Sequence, residues 1–175
     1  AALPGHVARR LAPFDDAVVT VTEFHAGSVS NVVPETARLV GDARSFDPGV
    51  RDRIEAEIGR LAHAVAAAQG ASVDYVFRRE YPPLVNGAAE AEIAAEALGR
   101  VIAPAAIDRA ARPQMGSEDF SYMLERRPGC YIALGQGRGA GEAMLHHPRY
   151  DFNDALLPVG ASYWVALVDR VLGAG

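Results

Sequence analysis

Residues 17–44 constrain the fold most. Ala17 to His25 (AVVTVTEFH) is β-branched and alternating, and Thr36 to Arg44 (TARLVGDAR) alternates again. A period of two sends successive side chains to opposite faces, so each run reads as a half-buried strand. Ala26-Gly27-Ser28 breaks the first run. Asn31-Val32-Val33-Pro34-Glu35 is a turn in which Pro34 holds Val33 extended. The two runs are expected to form an antiparallel pair with a long connection and one face open to solvent.

The period then changes. Asp47-Pro48-Gly49 has the form of a helix start, with Asp47 as cap and Pro48 in the first position. Ile54, Ile58, Leu61 and Val65 fall on one helical face, and Gly70 ends that helix. Ser72 to Tyr81 alternates, which predicts a third strand stopped by Pro82-Pro83. Asn86 is expected to cap a second helix carrying Ile93, Ala94, Ala97 and Leu98. Ser117 is a candidate cap for a short helix with a Phe120, Met123, Leu124 stripe. Cys130 to Leu134 (CYIAL) reads as a short strand buried inside an α/β sheet, and a helix follows from Leu157. The expected division is residues 1–83, an α+β module, and 84–175, helix and buried strand in the manner of an α/β domain.

Composition removes several function classes. The chain has 175 residues, half of them apolar, and a net charge of −5. It shows no basic patch of the kind that binds nucleic acid. No apolar run is read as reaching the ~20 residues that span a bilayer, so no membrane partner is expected. The single cysteine, Cys130, excludes an internal disulfide framework and fits a reducing, cytoplasmic compartment. The sequence opens Ala1-Ala2-Leu3-Pro4-Gly5-His6, without an initiator methionine, and Val7 to Leu11 reads like the end of a helix. The expectation is a chain that begins inside a larger protein.

Chemistry concentrates in Leu145-His146-His147-Pro148-Arg149-Tyr150-Asp151-Phe152-Asn153-Asp154. Imidazole in a loop before a helix suits a transition-metal site. Neighbouring side chains on an extended backbone point apart, so one histidine is expected to reach a site and the other not; two titrating surface histidines is the plainer alternative. Asp154 suits a helix cap. Asn31 serves turn chemistry or donates to an oxyanion, and Arg44 is either solvated or clamps a carboxylate. His25 and His63 read as structural. The glycine-rich loop Gly135 to Gly141 lacks the ending of a phosphate cradle.

Five segments taken together resemble one family. They are Phe24-His25-Ala26-Gly27-Ser28-Val29-Ser30-Asn31-Val32-Val33-Pro34, Gly41-Asp42-Ala43-Arg44-Ser45-Phe46-Asp47, Tyr81-Pro82-Pro83-Leu84-Val85-Asn86, Met115-Gly116-Ser117-Glu118-Asp119-Phe120 and the histidine segment. In this order the set is similar to the metal-dependent amidohydrolases of hippurate hydrolase, N-acyl-amino-acid amidohydrolases and plant auxin-conjugate hydrolases. The resemblance implies a zinc-peptidase-like α/β catalytic domain with an inserted ferredoxin-like lid that mediates dimerisation. It implies hydrolysis of the amide bond of an N-acyl amino acid by a metal-activated water, with a glutamate as general base. The divalent metal the resemblance implies for the full-length parent is zinc, with manganese, cobalt or nickel as alternatives.

Carried over by position, His146 matches a metal ligand and His147 its variable neighbour. Asn31 matches an asparagine that approaches substrate, and Arg44 an arginine associated with the substrate carboxylate. Such lid residues can serve a neighbouring subunit's site. Glu118 and Asp119 receive no firm role. The family's His-x-Cys-Gly-His-Asp segment, its Glu-Glu pair and its second ligand histidine are not found in this sequence. The expectation is therefore most of a lid, at residues 1–83 without its first strand, followed by the C-terminal part of a catalytic domain at 84–175. Such a chain is expected to be inactive alone and to bind metal weakly. The alternative is a non-catalytic dimerisation or ligand-binding module derived from such an enzyme.

Overall fold

A computed structural model describes Gly5, Val7, Arg9, Leu11 and residues 15–137 and 143–173. Arg138 to Gly141 of the glycine-rich loop lie outside the described residues, as do His6, Ala8 and Arg10 at the start. The fold is mixed α/β. Two units are present: Ala1–Pro83 with Gln114–Ser117, and Leu84–Pro113 with Glu118–Gly175.

In the first unit the alternating runs form β1 (Ala17–Ala26) and β2 (Ala37–Ser45), paired antiparallel from Ala17↔Ser45 to Ala26↔Ala37. The register slips between Val21 and Glu23, a bulge that turns Thr22 so that its hydroxyl donates to the Val40 carbonyl at 3.3 Å. Gly41 lies opposite this slip. A Cβ there would sit 2.6 Å from the Thr20 carbonyl oxygen, so only glycine allows the strands to approach this closely.

Helix α1 (Pro48–Ala68) follows immediately. The Asp47 carboxylate accepts from the Val50 N–H at 3.0 Å, and Pro48 occupies the first turn, where its missing N–H is harmless. The helix ends at a Gln69 cap, with Gly70 at a φ of +66°. Val50 and Ile54 are buried with Val7, and Leu11, Ala17, Val19, Ala43, Ile58 and Phe77 pack around them. The expected stripe therefore holds at Ile54 and Ile58, with Leu61 half-buried, and is lost at Val65. Val65 is exposed, because the packed surface does not extend to the helix's last turns.

The third strand expected at Ser72 to Tyr81 is corrected. The segment keeps its alternation, with Val73, Tyr75 and Phe77 half-buried, but it joins no ladder among the described residues. Side chains hold it against α1 instead. The Tyr75 hydroxyl donates to the Glu55 carbonyl at 2.9 Å, and Arg79 reaches Asp52 at 2.7 Å and Glu55 at 2.5 Å. The Tyr75 ring lies over Gly59, a buried glycine of the helix.

In the second unit α2 (Ala88–Leu98) packs on α4 (Leu157–Leu172) through Ala94, Ala97, Tyr163 and Ala166, with Leu98, Val101, Cys130 and Leu167 around them. Small alanines bring the helices close, and Arg170 adds an ion pair to Glu96 at 2.7 Å. The stretch Asp154–Leu172 has 19 residues and a mean hydropathy of 1.4, long and apolar enough by length and composition to cross a membrane. This corrects the expectation that no such run exists. Tyr163 and Ala166 on one side pack against α2, while Trp164, Val165 and Val168 on the other are exposed.

Two further expectations change here. The cap of α2 is Gly87, and Asn86 turns away to hydrogen-bond Tyr131. In the short α3 (Phe120–Leu124), Ser121 is buried, Phe120 and Leu124 of the predicted stripe are half-buried, and Met123 is exposed.

Gly59→Ala tests the ring-on-glycine contact. The added methyl gains about 1 kcal/mol of helix propensity. Its Cβ would lie 2.8 Å from Tyr75 Cε1. The ring is tethered at its hydroxyl and cannot swing freely, so overpacking of about 1–3 kcal/mol wins. A lower melting temperature is expected; an unchanged or raised one would refute the contact.

Candidate functional site

The histidine segment is two consecutive turns. The His147 N–H donates to the Met144 carbonyl at 3.0 Å, and the Tyr150 N–H donates to the His147 carbonyl at 2.9 Å. In the first turn His146 is the third residue, with a φ of 69°. That is the pattern of a type II turn, whose third position requires positive φ and is normally glycine or asparagine. Among the described residues His146 is the only non-glycine with positive φ. Pro148 then sits at the second position of the next turn, where its fixed φ suits the geometry.

The two imidazoles differ in their local bonds. His147 Nδ1 accepts from the Arg149 N–H at 3.0 Å, which places the proton of the neutral ring on Nε2. His147 is thus part of the turn. His146 is exposed, and its ring makes no hydrogen bond or ion pair among the described residues. A backbone held in a costly conformation to present one open imidazole is what a functional position looks like.

Asn153 secures the far end of the segment. Its Oδ1 accepts from the Ala155 N–H at 3.2 Å, and its Nδ2 donates to the Gln136 carbonyl at 2.8 Å. The Tyr150 hydroxyl donates to Gln136 Oε1 at 3.1 Å, and its ring meets Phe152 edge-on at 5.1 Å. The cap of the 3-10 turn Asp154–Leu156 is therefore Asn153, not Asp154 as expected. An amide bonds a donor and an acceptor at once, and a carboxylate does not.

At the start of α3 the cap position is Asp119, not Ser117, and it makes no side-chain cap bond. Glu118 Oε1 accepts from the Phe120 N–H at 3.3 Å. This bond, with those from the Tyr131 hydroxyl and Asp119, holds the Glu118 carboxyl below its ordinary range. Tyr131 is correspondingly pushed up, first by its bond to Glu118 and then by burial. The expected buried strand Cys130 to Leu134 is an extended segment without a ladder, and Tyr131, Ile132 and Leu134 are exposed. Its strand-like pairing comes from a side chain: Asn86 Nδ2 donates to the Tyr131 carbonyl at 2.9 Å, and the Tyr131 N–H donates to Asn86 Oδ1 at 2.8 Å. Burial, then the nearby Glu90 charge, pushes the Cys130 thiol up, so it is not an activated nucleophile.

Arg44 lies in β2 opposite Val18. Its Nε donates to Asp42 Oδ2 at 2.5 Å, and its Nη1 donates to the Met115 carbonyl. Asn31 is exposed in the turn between the strands. Arg44 is at the opposite end of β2 from that turn, roughly 24 Å from Ala37 at about 3.4 Å per residue. The strand does not bring Asn31 and Arg44 together. His25 pairs with Glu23 at 3.2 Å, and His63 Nδ1 bonds the Gly59 carbonyl at 2.7 Å, both local contacts. Among the described residues no group of three or more His, Cys, Asp or Glu side chains could hold a metal ion. A catalytic zinc takes roughly three protein ligands, so these residues do not by themselves hold one.

Residues 7–170 match the Peptidase family M20/M25/M40. The chain belongs to this family. It is 32% identical over 176 residues to IAA-amino acid hydrolase ILR1-like 4 of Arabidopsis thaliana, across 95% of this chain and 39% of that protein. It is 28% identical over 171 residues to hippurate hydrolase of Campylobacter jejuni, across 98% of this chain and 44% of that protein. The Bacillus subtilis YXEP protein, described as a dinuclear metal-binding peptidase of the M20 family, has a similar structure. The TM-score is 0.74 at 28% identity, over 99% of this chain and 46% of that one. The chain thus spans about two fifths of the length of the curated M20 relatives it matches.

Asp42, Met115 and Gln136 were not singled out for these contacts from the sequence, whereas Asn or Asp before Ala155 was expected as a cap. Of those three, Asp42 alone carried a signal, since residues two apart on a strand share a face.

His146→Gly and His146→Ala separate backbone from side chain. Only glycine tolerates the left-handed turn, so the glycine variant is expected to be the more stable by about 1 kcal/mol in thermal or denaturant unfolding. Equal stabilities would remove the claim of strain at this position. The depressed Glu118 carboxyl makes a second prediction. Its contribution to stability is present above the unfolded value near 4.5 and is lost as pH falls through the lower folded value. Glu118→Gln is therefore expected to flatten the acid limb of the stability curve and leave the alkaline limb in place. An acid limb of unchanged slope would contradict it.

Proposed function

We propose that this chain is part of an M20 amidohydrolase that hydrolyses the amide bond of N-acyl amino acids. His146 is one ligand of its divalent metal, Arg44 meets the substrate carboxylate and Asn31 approaches substrate. The observation that carries the reading is His146: an exposed imidazole with no hydrogen-bond partner among the described residues, held at a φ of 69° in a tied-down double turn, in a chain of this family. The relatives named hippurate hydrolase and IAA-amino acid hydrolase support an N-acyl amino acid as substrate. The dinuclear metal-binding relative supports a divalent metal, with zinc the proposed ion. Residues 1–83 are read as the lid and 84–175 as the C-terminal part of the catalytic domain, in a cytoplasmic protein.

With one donor imidazole, the chain alone is expected to bind zinc weakly and to leave hippurate intact. Zinc titration followed by imidazole NMR should move the His146 resonances more than those of His147, whose Nδ1 is occupied. His146→Ala should abolish that response. Stoichiometric zinc with hippurate turnover by the purified chain, or a zinc response unchanged in His146→Ala, would overturn the reading.

A second reading is favoured by the exposed apolar face of α4, where Trp164 is 64% exposed. It holds that this chain acts as a dimerisation or ligand-binding module, with self-association through that apolar face. Light scattering at high concentration discriminates, because a strict monomer would remove it.

A further inference from the structure

We infer that Asp42 competes with the substrate carboxylate for Arg44 and so sets how tightly this protein holds acidic substrates. The inference rests on the reading of Arg44 given above. An arginine grips a carboxylate through one of two donor pairs, side-on through Nε and an Nη, or end-on through the two Nη groups. Asp42, two residues earlier on the same face of β2, already holds Nε at 2.5 Å. The Met115 carbonyl holds Nη1 and fixes the plane of the fork.

A substrate carboxylate arriving side-on must therefore displace Asp42. One arriving end-on approaches a guanidinium whose charge Asp42 has already balanced. Both groups are accessible, with Arg44 37% and Asp42 47% exposed, so exchange of one carboxylate for another needs no unfolding. Solvent screening at such exposure keeps the resident pair weak enough to be displaced. Asp42 thus lowers affinity without closing the site, and it discriminates against carboxylates alone.

The test uses this chain, with hippurate as probe and hippuramide, its uncharged amide, as control. Binding is read by isothermal titration calorimetry in every variant, with the Arg44 Nε–H resonance as a second readout where Arg44 is kept. Asp42→Asn removes the competing charge and keeps the size. It is expected to tighten hippurate about 3- to 5-fold and leave hippuramide unchanged, the scale of one exposed ion pair. Arg44→Ala should abolish the hippurate response. If Arg44→Ala loses hippurate but Asp42→Asn binds it no tighter, Asp42 is not a competitor and this inference falls alone. If hippurate binds equally with and without Arg44, or no variant moves the Arg44 resonance, the carboxylate role of Arg44 falls and takes the inference with it. Equal tightening of hippuramide would also overturn it, since charge would not be the cause.

Discussion

Burial of Val50 and Ile54 against the β1–β2 ribbon is the interaction on which the first unit depends. An isolated two-stranded hairpin is marginal in water, and this one carries polar residues along much of both faces. The helix covers the inner positions Ala17, Val19 and Ala43, and Val7, Leu11 and Phe77 close the cluster from other segments. Removing a buried isoleucine of this kind typically costs 2–5 kcal/mol, a large part of the stability of a small unit. The strand geometry that presents Arg44 and Asp42 on one face therefore depends on a helix packed against Ala17, Val19 and Ala43.

Two extended segments, 71–81 in the first unit and 130–134 in the second, form no ladder among the described residues. Their solutions are related. Residues 71–81 use the Tyr75 hydroxyl, the Tyr75 ring on Gly59 and the Arg79 ion pairs. Residues 130–134 use the Asn86 amide, whose carbonyl and NH₂ imitate the two bonds that a neighbouring strand would make to Tyr131. A side-chain amide satisfies one residue's N–H and C=O but cannot propagate, so the apolar side chains of the segment stay exposed.

The candidate functional groups share a feature: each is held by neighbours at some local expense. His146 sits in a turn position that favours glycine, tied by the bonds at Met144 and His147. Arg44 is oriented by Met115 and opposed by Asp42. Asn153 fixes where the histidine segment meets α4, through one bond to Gln136 and one to Ala155. Met115 lies 71 positions from Arg44 and Gln136 lies 17 from Asn153, too far for a local sequence signature, whereas Asp42 is two residues from Arg44 on the same strand.

Local chemistry alone determined the β1–β2 pair, the Asp47-capped helix with Pro48 in its first turn, the Gly70 stop and the motif order that carries the family resemblance. Each depends on φ restriction, side-chain period or capping within a few residues, so it is written in the chain. The tertiary structure decided the rest. Alternation at 72–81 specified an extended backbone, but pairing needs a neighbour at 4.8 Å, and that is a property of the assembled fold. The apolar run at 130–134 specified a preference for burial, and whether surface covers it is not local either. The same division holds at the site. The residues that donate imidazole and guanidinium were legible as chemistry, while the positive φ of His146 and the Asp42 and Met115 bonds of Arg44 arise only when the turns and strands have closed around them.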